Sequence, residues 1–488
     1  MTIQGFDNDL YIRTQSAHIR ERIDQFGGKL YLEFGGKLYD DYHASRVLPG
    51  FQPDSKLRML LAIKEQVEVV IAINADDIEK NKVRGDLGIT YDRDVIRLIK
   101  IFRDFGLYVS SVVLTRFNEQ PTVKAFQTRL EGMGVRVYRH YHIPGYPANT
   151  AFIVSDEGFG KNDFIETTRE LVIITAPGPG SGKLATCLSQ LYHEHKRGIK
   201  AGYAKFETFP VWNLALNHPV NLAYEAATAD LSDVNMIDPF HLEAYGQTTV
   251  NYNRDVEAFP VLVAMFEKIL GQCPYKSPTD MGVNMVGNSI VDDAAVRYAS
   301  CQEIIRRYYT ALCDQRKGTI SDDQVLKLEF LMRKVGVDAS DRAVVNHARA
   351  LAEKTGLPAA SMELPDGTIV TGKTSDLLGA SAAVLMNALK ALAGIRDGLH
   401  IIAPAAIAPI QHLKVDHLGN RNPRLHTDEV LIALSISAAT NPTAELAMEQ
   451  LSGLRGCEVH SSVILSAVDE KTFKRLGVNL TCDPNYHG

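Results

Sequence analysis

Short apolar runs alternate with amphipathic segments along the first two thirds of the chain. The run VEVVIAIN at residues 67–74 is apolar apart from one glutamate and the final asparagine, and it predicts a buried strand. Residues 92–105 instead place apolar side chains at helical spacing. The same patterns predict further strands at 107–114, 135–142, 151–155, 171–175 and 199–206, and helices at 121–132, 184–197, 256–271 and 292–314. This alternation favours an α/β fold with a mostly parallel sheet between helices.

The last third of the chain has a different pattern. Helices are predicted at 324–335, 341–355, 374–393 and 427–439, a strand at 458–465, and a hairpin turn at Asp366 and Gly367. A polar, turn-rich segment begins at residue 315 and is typical of a domain boundary. We therefore expect an α/β domain over residues 1–315, a helical lead-in over 316–360 and a smaller α+β domain over 361–488.

A short repeat stands near the N-terminus. The pentapeptide GGKLY occurs at residues 27–31 and again at 35–39. Because a Gly-Gly pair tolerates the positive φ of a tight turn, the segment predicts a β-hairpin near residues 29–42.

Composition narrows the class of protein. The chain has 488 residues, 45% hydrophobic and 23% charged, with a net charge of −6. A mildly acidic chain lacks the basic surface of a dedicated nucleic-acid binder, and no apolar stretch reaches the roughly 18–20 residues that span a bilayer. The N-terminus does not look like a signal peptide, and the six cysteines are scattered without a CxxC pair. We expect a cytoplasmic protein with neither a nucleic-acid nor a membrane partner.

The segment LVIITAPGPGSGK at residues 171–183 carries the clearest chemical signal. An apolar strand stops at a glycine-rich loop, and a helix begins after it, which is how backbone N–H groups are presented to a phosphate. The P-loop pattern G-x-x-x-x-G-K-[ST] is met by Gly182 and Lys183, whereas Pro177 occupies the first glycine position and Leu184 the hydroxyl position. A turn that binds nothing is the alternative. The predicted phosphate site consists of Gly178, Gly180, Ser181, Gly182 and Lys183.

The segment GIKAGYAKFETFP at residues 198–210 resembles the second strand of the dethiobiotin-synthetase and CTP-synthetase group of P-loop proteins. The resemblance covers about residues 168–245 and implies a three-layer P-loop-like domain. It also implies that Lys205 and Glu207 lie near the phosphates, and that Glu207 or Asp238 holds Mg²⁺. A solvated strand end is the alternative explanation for Lys205 and Glu207.

The whole chain also resembles a bacterial family known only as a domain of unknown function. The motifs that carry the resemblance are GGKLYDDYHASR at 35–46, PGPGSGKLATCLSQLYH at 177–193, YKSPTDMGVN at 275–284 and TGKTS at 371–375. The resemblance implies a two-domain bacterial cytoplasmic protein and no particular activity.

Three polar loops are further candidates for contact with a substrate. One follows the predicted hairpin and contains Asp41, His43 and Arg46, and the second contains Lys276 between two helices. The third contains Lys373 ahead of an alanine-rich helix, where a helix N-terminus would favour an anion. Helix capping by the neighbouring hydroxyl groups is the alternative for the second loop, and it is the favoured explanation for the third.

Two aspartates, Asp76 and Asp77, directly follow the predicted strand at residues 67–74. Carboxylates at the end of a strand often face the ligand crevice of an α/β sheet. The alternative is that they cap or begin the next helix, and the pattern slightly favours that reading.

These features predict an enzyme that binds ATP or another nucleotide with Mg²⁺ and acts on a small molecule as a ligase or transferase. Lys183, Lys205 and Glu207 are its expected catalytic residues. One alternative is a non-catalytic assembly protein with a degenerate P-loop, in which the alanine-rich helices form the interface of a homo-oligomer. Another is an enzyme that uses the loop for a phosphorylated or otherwise anionic small molecule without a nucleotide.

Overall fold

The computed structural model describes residues 4–84, 87–231 and 233–486. The chain separates into two compact units between Ser300 and Cys301. This division falls inside one helix, α13, and the boundary expected at residue 315 lies in the same helix.

The first unit is an α/β unit. Its strands are β1 (Leu30–Phe34), β2 (Val67–Asn74), β3 (Val83–Arg84), β4 (Ile89–Thr90), β5 (Tyr108–Phe117), β6 (Arg136–Tyr141), β7 (Leu171–Thr175), β8 (Gly202–Phe206), β9 (Asn235–Ile237), β10 (Val250–Tyr252) and β11 (Gly282–Val283). Its helices are α1 (Asn8–Gln25), α2 (Tyr42–Val47), α3 (Ser55–Leu61), α4 (Ala75–Glu79), α5 (Tyr91–Asp104), α6 (Pro121–Gly132), α7 (Thr150–Ile153), α8 (Lys183–Lys196), α9 (Pro219–Ala227), α10 (Pro239–Tyr245), α11 (Asn253–Leu270), α12 (Pro278–Met281) and the start of α13 (Asp293–Arg316).

A seven-stranded parallel sheet forms the centre of this unit. The strand order is β11-β8-β1-β7-β2-β5-β6, and every neighbouring pair is parallel. All eight residues of β2 are buried, as expected for a strand covered on both faces. Alternate side chains of the sheet, including Val70 and Ile174, form one core with apolar side chains of α8 and α11. The parallel α/β architecture predicted from the alternation is therefore confirmed.

The second unit combines helices with a mixed sheet. Its elements are the end of α13, α14 (Asp322–Val335), α15 (Ala343–Thr355), β12 (Ala359–Glu363), β13 (Ile369–Lys373), α16 (Ala380–Leu392), α17 (Pro404–His412), α18 (Thr427–Ala438), α19 (Pro442–Glu449), β14 (Glu458–Ser461), α20 (Ala467–Leu476) and β15 (Asn479–Cys482). The sheet order is β13-β12-β14-β15, in which β12 is antiparallel to both neighbours and β14 is parallel to β15. A smaller C-terminal domain with α+β character is thus confirmed.

The predicted hairpin near residues 29–42 is wrong. β1 is a central strand that pairs in parallel with β7 and β8, and all five of its residues are buried. The chain then turns through Asp40, whose φ is 64°, and the Asp41 side chain caps α2. The two Gly-Gly pairs stand before and after the same strand, so the repeat does not mark two paired strands.

Two other predictions of secondary structure need correction. The strand predicted at 151–155 is the short helix α7, whose N-cap Asn149 accepts a hydrogen bond from the backbone of Phe152. The alanine-rich helix begins at Ala380 rather than at residue 374, after the N-cap Gly379. Both errors arise because a short apolar or small-residue run fits a helix and a strand equally well until its caps are known.

Candidate functional site

The glycine loop lies at the carboxyl edge of the parallel sheet. β7 ends at Thr175, and α8 begins at Lys183 with Gly182 as its N-cap. Gly180 and Gly182 have φ of 74° and 81°, a backbone region that side chains other than glycine rarely adopt. No side chain caps α8, so the first N–H groups of the helix are available to an anion.

Neighbouring strands hold the loop on one side. The Asn74 amide at the end of β2 donates to the Gly180 carbonyl at 3.3 Å, and the Thr115 hydroxyl on β5 donates to the Ser181 carbonyl at 2.9 Å. A Cβ at Gly178 would lie 2.2 Å from the Tyr91 hydroxyl. Glycine is therefore required at position 178 by close packing, whatever the loop binds.

The hydroxyl groups of the loop are already engaged. The Ser181 hydroxyl donates to the Gly178 carbonyl at 2.8 Å, and the Thr186 hydroxyl donates to the Gly182 carbonyl at 3.0 Å. Leu184, at the position where a P-loop has its Mg²⁺-binding hydroxyl, packs against the apolar core. The loop resembles a P-loop in its glycines and lysine, and it lacks the hydroxyl that a P-loop offers to a metal ion.

Lys183 is a half-buried cation at the start of α8. Burial lowers the pKa of its ammonium group, the Glu33 carboxylate partly offsets this effect, and Lys205 and Arg254 reinforce it. Within the part of the chain that the structure describes, no hydrogen bond or ion pair reaches this ammonium group. Lys183 is therefore a charge that the protein itself does not neutralise by direct contact.

Beside Lys183, two strands and a helix bring further charges together. Glu33 on β1 and Lys205 on β8 are partners in the parallel register, and Gly282 on β11 pairs with Lys205 from the other side. The Lys205 ammonium forms ion pairs with Glu207 at 2.6 Å and with Asp255 at the start of α11. We call the five residues the edge cluster: Glu33, Lys183, Lys205, Glu207 and Asp255.

The acidic side chains of the edge cluster outnumber its cations, and this shifts their titration. Burial raises the pKa of Glu207, Lys205 partly offsets the rise, and Asp255 adds to it, so that the pKa is about 7. Burial alone would lower the pKa of Lys205, but Asp255, Glu207 and Glu33 raise it above its usual value. Lys205 thus stays charged, while Glu207 can take up or release a proton near neutral pH.

Tyrosine side chains surround the edge cluster. The Tyr203 hydroxyl donates to Glu33 at 2.8 Å. Burial and the charge of Glu33 together raise the pKa of Tyr146 to about 12. Burial is also the main cause that raises the pKa of Tyr224 to about 12, with the charge of Glu207 contributing. These phenols therefore remain protonated as hydrogen-bond donors at neutral pH.

Three members of the site were missed from the sequence, namely Glu33, Arg254 and Asp255. Glu33 offered a usable signal, because a charged residue near the carboxyl end of an apolar strand and before Gly-Gly marks a ligand edge. Arg254 and Asp255 offered no such signal, because they lie in the first turn of α11, directly after the short strand β10.

The loop containing Asp41, His43 and Arg46 forms its own structure. The Asp41 carboxylate accepts from the backbone of Ala44 at 3.2 Å and pairs with the buried Lys56 at 2.7 Å. Burial alone would raise the pKa of Asp41, but Lys56 and His43 lower it below its usual value. His43 stacks edge-on against aromatic rings, and Arg46 lies in the last turn of α2. Asp41 is thus fully used in capping α2 and neutralising Lys56.

Asp238 has a structural role in place of the predicted metal-binding one. It is fully buried and caps α10, where one carboxylate oxygen accepts from the backbone of Phe240 and His241. The other oxygen accepts from the backbone and the hydroxyl of Thr279, at 3.2 and 2.6 Å. Four hydrogen bonds occupy the carboxylate, and we do not include it in the site.

The last two candidates lie apart from the edge cluster. Lys276 is exposed, with its ammonium 5.4 Å from the centre of the Tyr245 ring, and its backbone donates to Asp280. Lys373 is the exposed last residue of β13 in the second unit. It does not stand at the N-terminus of α16, which begins at Ala380, so the expected anion site there lacks its helix.

Across residues 4–84, 87–231 and 233–486, no group of three or more His, Cys, Asp or Glu side chains is arranged to hold a metal ion. None of the helices in these ranges combines the length and the apolar character needed to cross a membrane.

Comparison with known proteins identifies relatives along the whole chain. The family model described as the N-terminal domain of unknown function DUF1846 matches residues 4–336, and its C-terminal counterpart matches residues 340–488. A UPF0371 protein of Corynebacterium urealyticum is 60% identical over 483 residues, covering 99% of this chain and 97% of that protein. A UPF0371 protein of Streptococcus thermophilus is 59% identical over 486 residues, covering 100% of this chain and 98% of that protein.

Proposed function

The chain belongs to the DUF1846 family, and from this premise we propose that it is an enzyme that binds a phosphorylated small molecule at the glycine loop. In this proposal Lys183 and the N-terminus of α8 hold the phosphate, and Glu207 exchanges a proton with the reacting group. The observation that carries the proposal is the unneutralised Lys183 ammonium, which lies near Glu33 and Lys205. Lys205 in turn pairs with Glu207, an acid whose pKa is about 7.

Anion binding at this position has two independent supports. The uncapped N–H groups of α8 and the helix dipole favour negative charge. Lys183 adds a cation whose burial is costly until an anion reaches it. A phosphate would satisfy both features at once, because it offers several acceptor oxygens around one negative centre.

Proton transfer is supported by the titration of the edge cluster. A general acid or base works best when its pKa is close to the operating pH, and Glu207 meets this condition. Lys205, held between Glu207 and Asp255, keeps its charge and would stabilise negative charge that develops on the reacting group. In this proposal Lys183 therefore anchors the phosphate, and Glu207 carries out the acid–base chemistry with Lys205.

Calorimetric titration with inorganic phosphate and with ribose 5-phosphate tests the anchoring step. We expect Lys183→Ala to weaken binding at least tenfold, about 1.4 kcal/mol, and to leave thermal stability unchanged or raised. Lys276→Ala is the matched control, because Lys276 is an exposed lysine outside the edge cluster. Equal affinity of Lys183→Ala and the unmodified protein for every phosphate compound would refute the proposal.

A screen of phosphorylated small molecules for turnover tests the acid–base step. Once a substrate is found, we expect Glu207→Gln to lower kcat by about 10²-fold or more with little change in KM. The pH profile of kcat/KM should show an ionisation near pH 7 that is absent in Glu207→Gln. A profile without that ionisation in the unmodified enzyme would remove Glu207 from the mechanism.

An ATP-dependent ligase or transferase is the second candidate. The Gly-Lys pair at the start of α8 favours it, and Glu33 and Glu207 supply carboxylate oxygens of the kind that Mg²⁺ prefers. The engaged hydroxyl groups of Ser181 and Thr186 weigh against a P-loop type of Mg²⁺ site. Titration of ATP with and without Mg²⁺ separates the two candidates, since only the second requires that Mg²⁺ increase affinity.

The assembly-protein alternative has less support. Its expected interface included the alanine-rich helix, yet most residues of α16 are buried in the core of the second unit. α18 does expose Ile432 and Ile436, one helical turn apart. The oligomeric state, measured by light scattering, therefore stays a separate question from the chemistry of the edge cluster.

A further inference from the structure

We propose that a cleft beside the glycine loop holds the nucleoside part of the ligand, so that the phosphorylated molecule is a nucleoside phosphate. This inference rests on the proposed function, because the loop must hold the phosphate. It goes further by assigning the rest of the ligand to residues outside the edge cluster.

The cleft opens at the carboxyl ends of β5 and β6 and has a volume of about 430 Å³. Pockets for small molecules commonly measure roughly 300–1,000 Å³, so this one is large enough for a nucleoside. The residues that line it include Asp76, Arg116, Asn118, Tyr141, His142 and Lys161.

Two residues that hold the glycine loop stand close in the chain to residues that line the cleft. Thr115, which holds the Ser181 carbonyl, is followed directly by Arg116 of the cleft. Asn74, which holds the Gly180 carbonyl, stands two residues before Asp76 of the cleft. Because β7 and β5 are separated only by β2, their ends lie roughly 10 Å apart, the scale of a nucleoside.

The lining suits a heterocycle and a ribose. Tyr141 presents a partly exposed ring, which contacts the buried Phe117 ring edge-on with 6.0 Å between centroids. A base can stack on such a ring. The Asn118 backbone N–H donates to Gln120, whereas its side-chain amide has no hydrogen-bond partner among the described residues. The Asp76 carboxylate can accept from ribose hydroxyls as acidic residues do in nucleotide sites.

The charges in the cleft argue against two other occupants. Arg116 pairs with Asp76 at 3.3 Å, and Lys161 places its ammonium 5.6 Å from the centre of the Tyr141 ring. A wholly anionic ligand would meet the Asp76 carboxylate, and a wholly apolar one would remove these charged side chains from water. A neutral heterocycle joined to a phosphate matches this combination of one carboxylate and two cations, with Arg116 and Lys161 on the side of the negative charge.

The backbone of the cleft departs from regular structure. β5 advances three residues from Leu114 to Phe117 while β6 advances two, which is a β-bulge. Arg116 and Glu119 both have φ of 55°, a left-handed conformation that is uncommon outside glycine. Bulges and such backbone conformations occur preferentially next to functional sites, where they redirect side chains.

Titration with AMP, ADP, ribose 5-phosphate and inorganic phosphate tests the inference. We expect AMP and ADP to bind at least tenfold more tightly than ribose 5-phosphate. Asn118→Ala and Tyr141→Leu should remove most of this advantage and leave the affinity for ribose 5-phosphate unchanged. Lys124→Gln, an exposed lysine on α6 outside the cleft, is the control.

The outcomes separate this inference from the proposed function. Equal affinity for AMP and ribose 5-phosphate, with Lys183→Ala weakening both, would overturn the inference and leave the proposed function standing. A nucleotide preference that survives both cleft variants would overturn the placement in the cleft. Binding of no phosphate compound would overturn both proposals. If Tyr141→Leu fails to fold, Asn118→Ala decides the matter, because it alters an exposed side chain.

Discussion

Both units of the chain bury clusters of charged side chains, and the two clusters differ in how completely their charges are compensated. In the second unit the cluster consists of Arg342, Arg349, His460 and Asp483, which we call the sheet cluster. Arg349 donates to both carboxylate oxygens of Asp483, at 2.5 and 3.1 Å. The buried Arg342 pairs with Glu458 at 2.5 Å and donates to the Thr481 hydroxyl at 3.1 Å.

Compensation shows in the titration of the sheet cluster. Burial alone would raise the pKa of Asp483, but His460 and Arg349 lower it to about 2. Burial lowers the pKa of His460, so this ring is neutral at physiological pH. The neighbours of Asp483 therefore hold its carboxylate in the charged form.

The edge cluster of the first unit is not compensated in this way. Lys205 serves two carboxylates, Glu207 titrates near neutral pH, and the pKa of Lys183 is lowered by burial. Evolution retains such arrangements at functional sites, where they cost stability. The comparison teaches that buried charge alone does not argue for a functional site, and that the argument for one rests on the charge that is left uncompensated.

The largest expected effect is on stability when Lys205 is removed. Lys205→Met leaves Glu207 and Asp255 facing each other without a cation, and breaking a buried pair costs about 3–5 kcal/mol. Urea unfolding followed by the fluorescence of Trp212, the single tryptophan of the chain, reports on the α/β unit. A decrease of less than about 1 kcal/mol in the free energy of unfolding would mean that Lys205 contributes no more than a surface charge does.

The second largest expected effect is on the pH dependence of stability, which differs between the two clusters. The pKa of Glu207 is raised in the folded state, so the folded chain binds more protons than the unfolded one between about pH 4.5 and 7. Its contribution to stability is lost as pH rises through this window, by up to about 3 kcal/mol. Glu207→Gln should remove that decline when Trp212 fluorescence is followed in urea at each pH. An unchanged pH slope in Glu207→Gln would contradict the comparison.

The pH dependence that Asp483 gives to the free energy of unfolding has the opposite sign and is smaller. Its pKa is about 2 when folded, so its stabilisation is present above the unfolded pKa near 4 and is lost as pH falls toward 2. Asp483→Asn should lower the free energy of unfolding of the second unit by about 2 kcal/mol at pH 7. Hydrogen exchange of the amides of β14 and β15 measures this unit. Equal protection in Asp483→Asn and the unmodified chain would show that the sheet cluster is not compensated by Asp483.

The smallest effect concerns Asp238, a compensated acid within the α/β unit. Asp238→Asn keeps an N-cap for α10 but weakens the contacts with Thr279. We therefore expect the free energy of unfolding to fall by about 1 kcal/mol. Ligand affinity and its response to Mg²⁺ should not change. If Asp238→Asn abolished Mg²⁺-dependent binding while the fold, checked by circular dichroism, stayed intact, Asp238 would have to be counted among the residues of the functional site.

Much of the first unit follows from local patterns in the chain. The apolar run of β2, the strand before the glycine loop, and helix α6 with Pro121 at its start were predicted almost to their ends. Each of these elements carries its own start and stop signals. The long helix α1 carried no comparable signal, since much of its surface is polar. β1 was misassigned to a hairpin because a Gly-Gly pair is equally compatible with a turn and with the end of a parallel strand.

The sequence by itself determined the α/β class, the position of the glycine loop and the presence of Lys183 at the start of a helix, because these depend on residues close together in the chain. Only the tertiary structure decided which charges meet. Glu33, Lys205 and Asp255 come from β1, β8 and α11, and the order of parallel strands brings them to one edge. It also assigned Asp238 and Asp41 to capping, since their hydrogen-bond partners are visible only in the folded chain. Local signals specify elements, whereas desolvation and charge compensation depend on neighbours distant in sequence.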